Sequence, residues 1–419
     1  MRSAWVWVGD RPRVALLFCL LVLAGAVATA PRADHWSGSW KQALDNGAGG
    51  TVFIGPAAAG AACLVYARLR SSAMGDIVLL SRRDWQRWLR PFVTIWVLAS
   101  LALVLVAVAA SSLAAARGAP ASPGLYWILV PACGVLAGQT ALGVLIGHVT
   151  ARAWAAPAVV VLVFLLFLWT TVGSAPDFFD TGGATASLGG MTYRAWPPLA
   201  IGLAGLALAG TALVLAHPRL FLATPGRRLA AFGVGAAWVS SWWFTHGDAG
   251  DRVVPMADPP LTCAGTQPTV CLLADLPLPL DDFVAKVDRQ AAALRAIGAS
   301  LPERFVDTPY GPPADPRDGV VNLQEDEVRR TVDVDRVTDT LVRPASCPAD
   351  YAEGPPVLAF DVRRQLGRWI QFRAGLLEPT PDDGDYDWLH GDPEVQDAWV
   401  RTTYRQLAEC RYDEIRKHG

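Results

Sequence analysis

Four cysteines in the last part of the chain have the types and spacing that most directly suggest chemistry. Cys263 and Cys271 lie eight positions apart in "LTCAGTQPTVCLLADLP", and Cys347 and Cys410 follow. Such cysteines form disulfides, hold metal ions or act as redox pairs. A redox pair needs C-x-x-C, which is absent, and the C-x7-C spacing differs from the C-x2-C typical of zinc sites. Among the histidines, only His418 lies close to any of the four in sequence.

The even number of these cysteines favours two disulfides, provided that their surroundings are oxidising. Four cysteines allow three pairings. We favour Cys263–Cys271, which closes a short local loop, and Cys347–Cys410, which ties the end of the chain to its middle. Zinc binding is the alternative. Whether these cysteines form disulfides or bind zinc depends on the side of the membrane on which they lie, because disulfides persist only in oxidising surroundings.

The composition divides the chain into two parts of opposite charge. Of its 419 residues, 52% are hydrophobic, and the mean hydropathy is +0.29. Residues 1–245 contain 17 Lys or Arg and 7 Asp or Glu, whereas residues 246–419 contain 19 and 31. The first part also holds 14 of the 17 Trp, a residue that favours membrane interfaces. We therefore predict a transmembrane domain over 1–245, a linker over 246–262 and an extracytoplasmic domain over 263–419.

Seven segments of the first part are apolar and approach the roughly 20 residues that a helix needs to cross a bilayer. They are residues 14–30, 49–66, 92–115, 125–149, 155–173, 197–216 and 229–245. With a cytoplasmic N-terminus, 13 basic residues lie inside and four outside, which is a positive-inside bias. Seven crossings place the acidic part and its cysteines outside. The first segment could instead be a cleaved signal peptide, which leaves the remaining topology unchanged.

The fourth predicted span contains two G-x-x-x-G pairs. The four glycines are Gly134, Gly138, Gly143 and Gly147. At about 100° per residue, the two pairs face opposite sides, so this helix is predicted to pack closely between two neighbours. Gln139 and Thr140 lie between the pairs. Polar side chains at this depth either hydrogen-bond to a neighbouring helix or line a substrate path, and the sequence leaves both interpretations open.

The longest predicted cytoplasmic loop, residues 67–91, ends in a short amphipathic helix. Ser81 is the expected N-cap and Asp84 follows three positions later, a capping-box pattern. Tryptophans occupy one face and arginines surround them. This helix is either an anchor lying along the membrane or a coupling helix that docks into a nucleotide-binding partner. The coupling hypothesis involves Ser81, Arg82, Arg83, Asp84, Trp85, Arg87, Trp88 and Arg90.

The chain carries no catalytic motif that we recognise. H-E-x-x-H and G-x-S-x-G are absent. None of the three lysines, Lys41, Lys286 and Lys417, follows a glycine, which excludes a G-x-x-x-x-G-K-[ST] phosphate loop. We therefore predict no enzymatic activity, no catalytic residues, no cofactor, no metal and no nucleic-acid partner. Any ATP-driven step would need a second chain.

The acidic part is long enough for one compact domain and is predicted to be mostly helical. Helices are expected over residues 281–298, 358–376 and 392–410. Asp392 and Pro393 are the expected N-cap and first residue of the last helix. The residues around Val334 are expected to form one short strand.

Four stretches of the sequence resemble ABC-2-type permease-like integral membrane proteins of actinobacteria that carry an extracytoplasmic C-terminal domain. They are "HWSGSW" with Trp36 and Trp40, "ARLR…SRRDWQRWLRP", "CAGTQPTVC" and the closing "EVQDAWVRTTYRQLAEC". In ABC-2-type permeases, the segment between the second and third helices contacts the ATPase, so the resemblance implies this role for residues 67–91. Such permeases usually have six helices, whereas seven are predicted here.

Together these features predict a mainly α plasma-membrane protein with about seven transmembrane helices, the N-terminus inside and a mostly helical domain outside. The resemblance implies the permease-type subunit of an ABC transporter, an exporter, embedded in the lipid bilayer. It would form a homodimer or heterodimer and bind a separate ABC-type ATP-binding subunit. The alternative is a non-transporting membrane protein whose external domain senses a ligand or scaffolds envelope assembly.

Overall fold

The protein is mainly helical, as predicted, and its described residues form two compact units that meet in the chain near residues 254 and 255. A computed structural model describes residues 11–71, 84–172, 181–183, 188–216, 252–275, 279–308, 315, 317–321, 333–347, 357–378 and 388–418. This boundary at residues 254 and 255 lies within 246–262, which the sequence predicts to be a linker.

The described residues of the first unit lie mainly in helices, most of them long and apolar. They are α1 (Arg11–Thr29), α2 (Ala33–Trp36), α3 (Trp40–Ala48), α4 (Thr51–Ser71), α5 (Asp84–Ala116), α6 (Leu129–Thr150), α7 (Ala155–Val172) and α8 (Trp196–Ala216). α6 lies at the centre, between α4 and α8. The outward faces of the bundle are apolar. Leu20, Leu101, Leu165 and Leu203, on four different helices, each expose more than half of their surface. Contact between such apolar faces and lipid tails costs little free energy, whereas their contact with water is unfavourable.

Within the described residues, five stretches are long and apolar enough to cross a membrane. They are Arg11–Thr29, Trp40–Ser71, Trp88–Ala116, Pro123–Thr150 and Trp196–Ala216. These stretches overlap the predicted first, second, third, fourth and sixth spans. The predicted fifth span is α7, of which the apolar part Ala155–Trp169 is shorter. The predicted seventh span, 229–245, lies outside the described residues.

The second unit contains a four-stranded sheet that the sequence did not lead us to expect. Its order is β3-β4-β5-β6, with β3 antiparallel to β4 and the other neighbours parallel. The strands are β3 (Leu261–Ala264), β4 (Thr269–Leu273), β5 (Arg304–Asp307) and β6 (Gly319–Val321). A separate two-stranded sheet pairs β1 (Met191–Tyr193) with β2 (Val253–Pro255). The prediction that the acidic part of the chain is mostly helical is therefore incomplete.

Among the described residues of the second unit, four helices surround an apolar core. They are α9 (Leu280–Ala296), α10 (Val334–Leu341), α11 (Val357–Arg373) and α12 (Pro393–Ala408). Phe283, Phe305, Trp369 and Tyr404 are buried together in this core. α9, α11 and α12 confirm the three predicted helices, and the Asp392 side chain caps α12 by accepting a hydrogen bond from the Glu394 amide at 2.9 Å.

The predicted strand at Val334 is wrong, because these residues begin α10. Asp333 is the N-cap, and its side chain accepts a hydrogen bond from the Asp335 amide. Val334, Val337 and Leu341 follow at helical spacing, and the last two are fully buried. The β-branched residues suggested a strand, but burial of this helical face against α9 and α11 decides the structure.

Both favoured disulfides are present in the structure. Cys263 and Cys271 face each other across β3 and β4, with an S–S distance of 2.07 Å. Cys347, which follows α10, is bonded to Cys410 at the end of α12, with an S–S distance of 2.06 Å. The second bond joins residues 63 positions apart in the sequence.

Candidate functional site

The helix α3 is buried along its whole length although four of the nine residues in its sequence, "WKQALDNGA", are charged or amide residues. Its nine residues are all buried, including Lys41, Gln42, Asp45 and Asn46. The sequence places these residues in the first outer loop, because the predicted second span begins only at residue 49. The structure instead makes them part of the helix bundle. Buried ionisable groups in a membrane domain are rare, and they mark functional sites by default.

The second membrane stretch is a discontinuous helix. α3 and α4 belong to one stretch of 32 residues, Trp40–Ser71, which is interrupted at Gly49 and Gly50. A continuous helix of this length would measure about 48 Å, well beyond the hydrocarbon core of about 30 Å. α3 also lies very close to α5, since a Cβ atom added to Gly47 would come within 2.6 Å of Ala107 Cα. Glycine at this position therefore permits the contact.

Asp45 is the centre of a buried polar network. Its carboxylate is fully buried and forms an ion pair with the Arg252 guanidinium, whose side chain is 14% exposed. The carboxylate also accepts hydrogen bonds from the Tyr193 hydroxyl at 3.0 Å and from the Gly183 amide at 2.8 Å. A buried carboxylate is unfavourable unless it is paired and hydrogen-bonded, and these three donors meet that requirement.

The segment that precedes α8 is bound to α3 by further hydrogen bonds. Lys41 Nζ donates to the Leu188 carbonyl at 3.3 Å, and the Leu188 amide donates to Gln42 Oε1 at 2.9 Å. The Thr181 hydroxyl donates to the Ala48 carbonyl at 2.8 Å, at the end of α3. The side chains of Lys41, Gln42 and Asp45 are thus paired with residues more than 100 positions later in the chain, whereas the Asn46 amide donates to the Gln42 carbonyl within α3.

A small cavity lies beside this network, lined in part by Thr181, Tyr193, Arg252 and Ile128. Its volume is about 10 Å³, which is close to the minimum that a single water molecule requires. Within the described residues, this cavity is therefore too small for a solute larger than water.

The glycine helix α6 packs as predicted between two neighbours. One glycine pair faces α8 and the other faces α4. A Cβ added to each glycine would lie 2.0–2.8 Å from a backbone oxygen of the neighbour: Gly134 against Gly202, Gly138 against Gly205, Gly143 against Ala59 and Gly147 against Cys63. These distances are too short for any side chain, so the glycines set the spacing of the three helices.

Gln139 is fully buried, yet its amide has no hydrogen-bond partner among the described residues. Neither its Nε2 nor its Oε1 atom is paired with a described residue. The amide fills the space above Gly55 of α4, where an added Cβ would lie 1.6 Å from Oε1. Thr140 donates to the Leu136 carbonyl of its own helix at 2.7 Å. A hydrogen bond to a neighbouring helix is thus found for neither residue within the described part of the chain.

The predicted coupling helix is not a separate element, because residues 84–91 are the first turns of α5. Trp88 is buried, and the carbonyl of Trp88 accepts a hydrogen bond from the Tyr66 hydroxyl of α4 at 2.6 Å. The Tyr66 and Trp88 rings also pack edge to face, with their centroids 5.3 Å apart. The buried face that begins at Trp88 continues through Phe92 and Ile95 at helical spacing. The same helix therefore continues into the third predicted span, and residues 84–91 do not form a separate helix along a membrane surface.

The described part of the coupling segment is small. Arg90 is exposed on the first turns of α5. Asp84, Trp85 and Arg87 belong to the helix, but their side chains are not described. Ser81, Arg82 and Arg83 lie outside the described residues.

In the second unit, Asp307 is a buried acid at the end of β5. It is fully buried, and neither of its carboxylate oxygens is hydrogen-bonded to a described residue. Burial, together with the nearby charge of Asp275, raises the pKa of Asp307 to about 7. In the unfolded chain an Asp carboxyl ionises near pH 4. Between about pH 4 and pH 7 the folded state keeps a proton that the unfolded state has lost, so stability falls as the pH rises through this range.

We expect Asp307→Asn to remove this pH dependence, because the amide resembles the neutral acid. The variant should be more stable than the wild type at pH 8, by at most about 4 kcal/mol, and should lie close to it at pH 4. Thermal unfolding of the full chain in detergent at several pH values checks this expectation. Asp413→Asn, at an exposed position, is the control. If the stability difference between the wild type and the Asp307→Asn variant is the same at pH 4 and at pH 8, this explanation is contradicted.

Comparison of the chain with protein families, curated proteins and solved structures gives no match.

Proposed function

We propose that this chain is the permease-type membrane subunit of an ABC transporter, an exporter, and that it acts with a separate ATP-binding subunit. The observation that supports this most is the discontinuous second helix, whose buried segment α3 carries Asp45 and Lys41 inside an apolar bundle. Transporters use interrupted helices because their free ends and unwound backbone present polar groups to a substrate at the helix interfaces. The chain has no phosphate loop, so the ATPase must be another polypeptide.

The contacts of α5 support a mechanical link between the coupling segment and α3. α5 has 33 residues, so it is about 50 Å long and extends beyond a hydrocarbon core of about 30 Å. Near its start, α5 is held to α4 through Trp88 and Tyr66. Further along, Ala107 packs against Gly47 of α3. A displacement of residues 67–91 by the ATPase would therefore move α5 and, with it, the polar network around Asp45.

The proposed topology has the N-terminus in the cytoplasm and the second unit outside the plasma membrane. Two disulfides in the second unit favour an oxidising environment, which supports this orientation. A homodimer, or a heterodimer with a related chain, would present two coupling segments to two ATP-binding subunits. The tightly closed cavity beside Asp45 corresponds, in this proposal, to an occluded conformation.

Affinity purification from mild detergent tests the proposed coupling. Wild-type protein is expected to bring down a P-loop ATPase. A variant with Arg82, Arg83, Arg87 and Arg90 all changed to Ala is expected to lose it. The reason is that the arginines of this segment, of which Arg90 is described as exposed, are the charged groups that a docking ATPase would contact.

The matched control changes four exposed arginines of the second unit to Ala, namely Arg289, Arg317, Arg401 and Arg405. It removes the same charge and should retain the ATPase. If wild type and both variants fold but none brings down an ATPase, the transporter proposal fails. The alternative, a non-transporting membrane protein with a ligand-binding external domain, would then be favoured.

A further inference from the structure

A groove in the second unit lies between α10 and α11, and the proposed transport function does not account for it. Its volume is about 230 Å³. Its lining residues repeat every three or four positions on each helix. Thus Asp335, Thr338 and Val342 come from α10 and the residue after it, and Gly367 and Gln371 come from α11. The groove therefore follows one face of each helix.

The floor of the groove consists of the buried side chains of Thr338 and Gln371, and their hydrogen bonds extend to the buried Gln290 and to the exposed carboxylate of Asp335. The Gln371 amide donates to Thr338 Oγ1 at 3.0 Å and to Asp335 Oδ1 at 2.6 Å. The Thr338 hydroxyl donates to Gln290 Oε1 of α9 at 2.8 Å. Gly367 keeps the space open, since a Cβ there would lie 3.0 Å from Thr338 Cγ2. These contacts hold the groove in shape before any ligand arrives, which lowers the entropy lost on binding.

The groove is positively charged within an acidic region. It is lined by four arginines, Arg343, Arg363, Arg364 and Arg368, and by two acids, Asp335 and Asp339. This leaves a local charge of +2, whereas residues 246–419 carry 31 acidic and 19 basic residues. Excess positive charge gathered in one concave site attracts anions.

Two of the arginines are available to a ligand. Arg343 is half-buried at the groove, where its charge attracts the Asp339 carboxylate, and its guanidinium donates no hydrogen bond to any described residue. The Arg364 side chain is 61% exposed, and its Nη2 lies 4.0 Å from Asp361, which is a weak ion pair. Beside them, the ring of Phe360 is 62% exposed and offers an apolar surface.

We propose that this groove binds a phosphate group. Planar guanidinium groups donate paired hydrogen bonds to phosphate oxygens, and a local charge of +2 matches a phosphate monoester of charge about −2. The volume is below the range of about 300–1,000 Å³ that buries larger organic ligands, so it suits a phosphate with a small organic part. The phosphate belongs to a small ester or to a lipid headgroup, which present the same oxygens. This proposal does not depend on transport.

Equilibrium dialysis of the full chain in a maltoside detergent against radiolabelled inorganic phosphate tests the proposal. The wild type is expected to bind saturably. Arg343→Gln/Arg364→Gln is expected to bind at least about tenfold more weakly, because it loses charge-assisted hydrogen bonds. Competition by glycerol phosphate and by a short-chain phosphatidic acid separates the two sources, since the better competitor identifies a free ester or a lipid headgroup.

The control variant Arg289→Gln/Arg405→Gln makes the same charge change at exposed positions outside the groove and should bind like the wild type. If the groove variant fails to fold, Arg364→Glu at an exposed position replaces it and is expected to lose binding. The proposal is overturned if no phosphate compound binds saturably. It is also overturned if a folded groove variant binds like the wild type, or if the groove and control variants lose affinity equally.

Discussion

Gly143→Ala is expected to destabilise the membrane domain severely. Gly143 faces α4, and an added Cβ would lie 2.0 Å from the Ala59 carbonyl oxygen and 2.7 Å from its carbonyl carbon. These are backbone atoms of a helix that is itself packed on several sides, so they cannot move away alone. Overpacking of a dense core destabilises by about 1–3 kcal/mol, and a clash with backbone belongs at or above the upper end of this range. The helices α4 and α6 would have to separate.

Thermal unfolding of the purified chain in detergent measures this effect, with Gly124→Ala as the control. Gly124 lies in the short turn of Pro123–Ile128 before α6, and an added Cβ there would meet no atom within 4 Å. The control should therefore unfold at nearly the wild-type temperature. Equal stability of the Gly143 and Gly124 variants would show that α4 and α6 are not packed as closely as described.

Asp45→Asn is expected to destabilise the protein by about 3–5 kcal/mol, because it leaves the Arg252 charge without its buried counter-ion. Asn keeps the size of the side chain and an oxygen that can accept the Gly183 amide, so the change isolates the loss of charge. Chemical or thermal unfolding in detergent measures the difference. Asp282→Asn, which breaks an exposed pair with Lys286, should change stability by about 0–1 kcal/mol.

The double variant Asp45→Asn/Arg252→Gln distinguishes a paired charge from two independent effects. With both charges removed, neither is left unpaired, so the double variant should be less destabilised than the sum of the two single variants. A coupling of several kcal/mol is expected for a buried pair. Strictly additive effects would contradict the ion pair.

The sequence predicts best those features that depend on local periodicity. The two glycine pairs of α6 are separated by an angle that follows from helix geometry alone, and the structure places them against α8 and α4. The cap and first turn of α12 likewise need only Asp392 and Pro393. The pairing of cysteines was favoured on loop length and number, and the structure has the same pairs.

Features that depend on distant partners were missed. The sequence of α3 suggests a polar loop because the groups that pair with its polar side chains lie more than 140 positions away. These groups belong to Arg252, Tyr193 and Leu188. The sheet of the second unit was overlooked for a related reason. Its strands have three to five residues each, and parallel pairing of β4, β5 and β6 brings together segments separated by a helix or a loop. Neither the burial of α3 nor the pairing of these strands follows from a local sequence pattern.

The sequence predicts a short surface helix within residues 67–91, with Ser81 as its N-cap, whereas from residue 84 onward the chain belongs to the long helix α5. An amphipathic pattern does not reveal what covers its apolar face. Trp88 is covered by Tyr66 of α4 instead of by lipid headgroups. α5 also continues through Pro91, although proline within a helix loses one backbone hydrogen bond.

The Cys347–Cys410 bond turns the end of the chain into a covalent ring that contains all of α11 and α12. A single cut of the backbone anywhere between these two cysteines opens the ring but releases no fragment. Both new ends stay tethered, and α12 remains near its packing partners at high effective concentration. A domain placed outside the cell meets proteases there. Such a ring would let it survive one cleavage with its helices still assembled, until the disulfide is reduced.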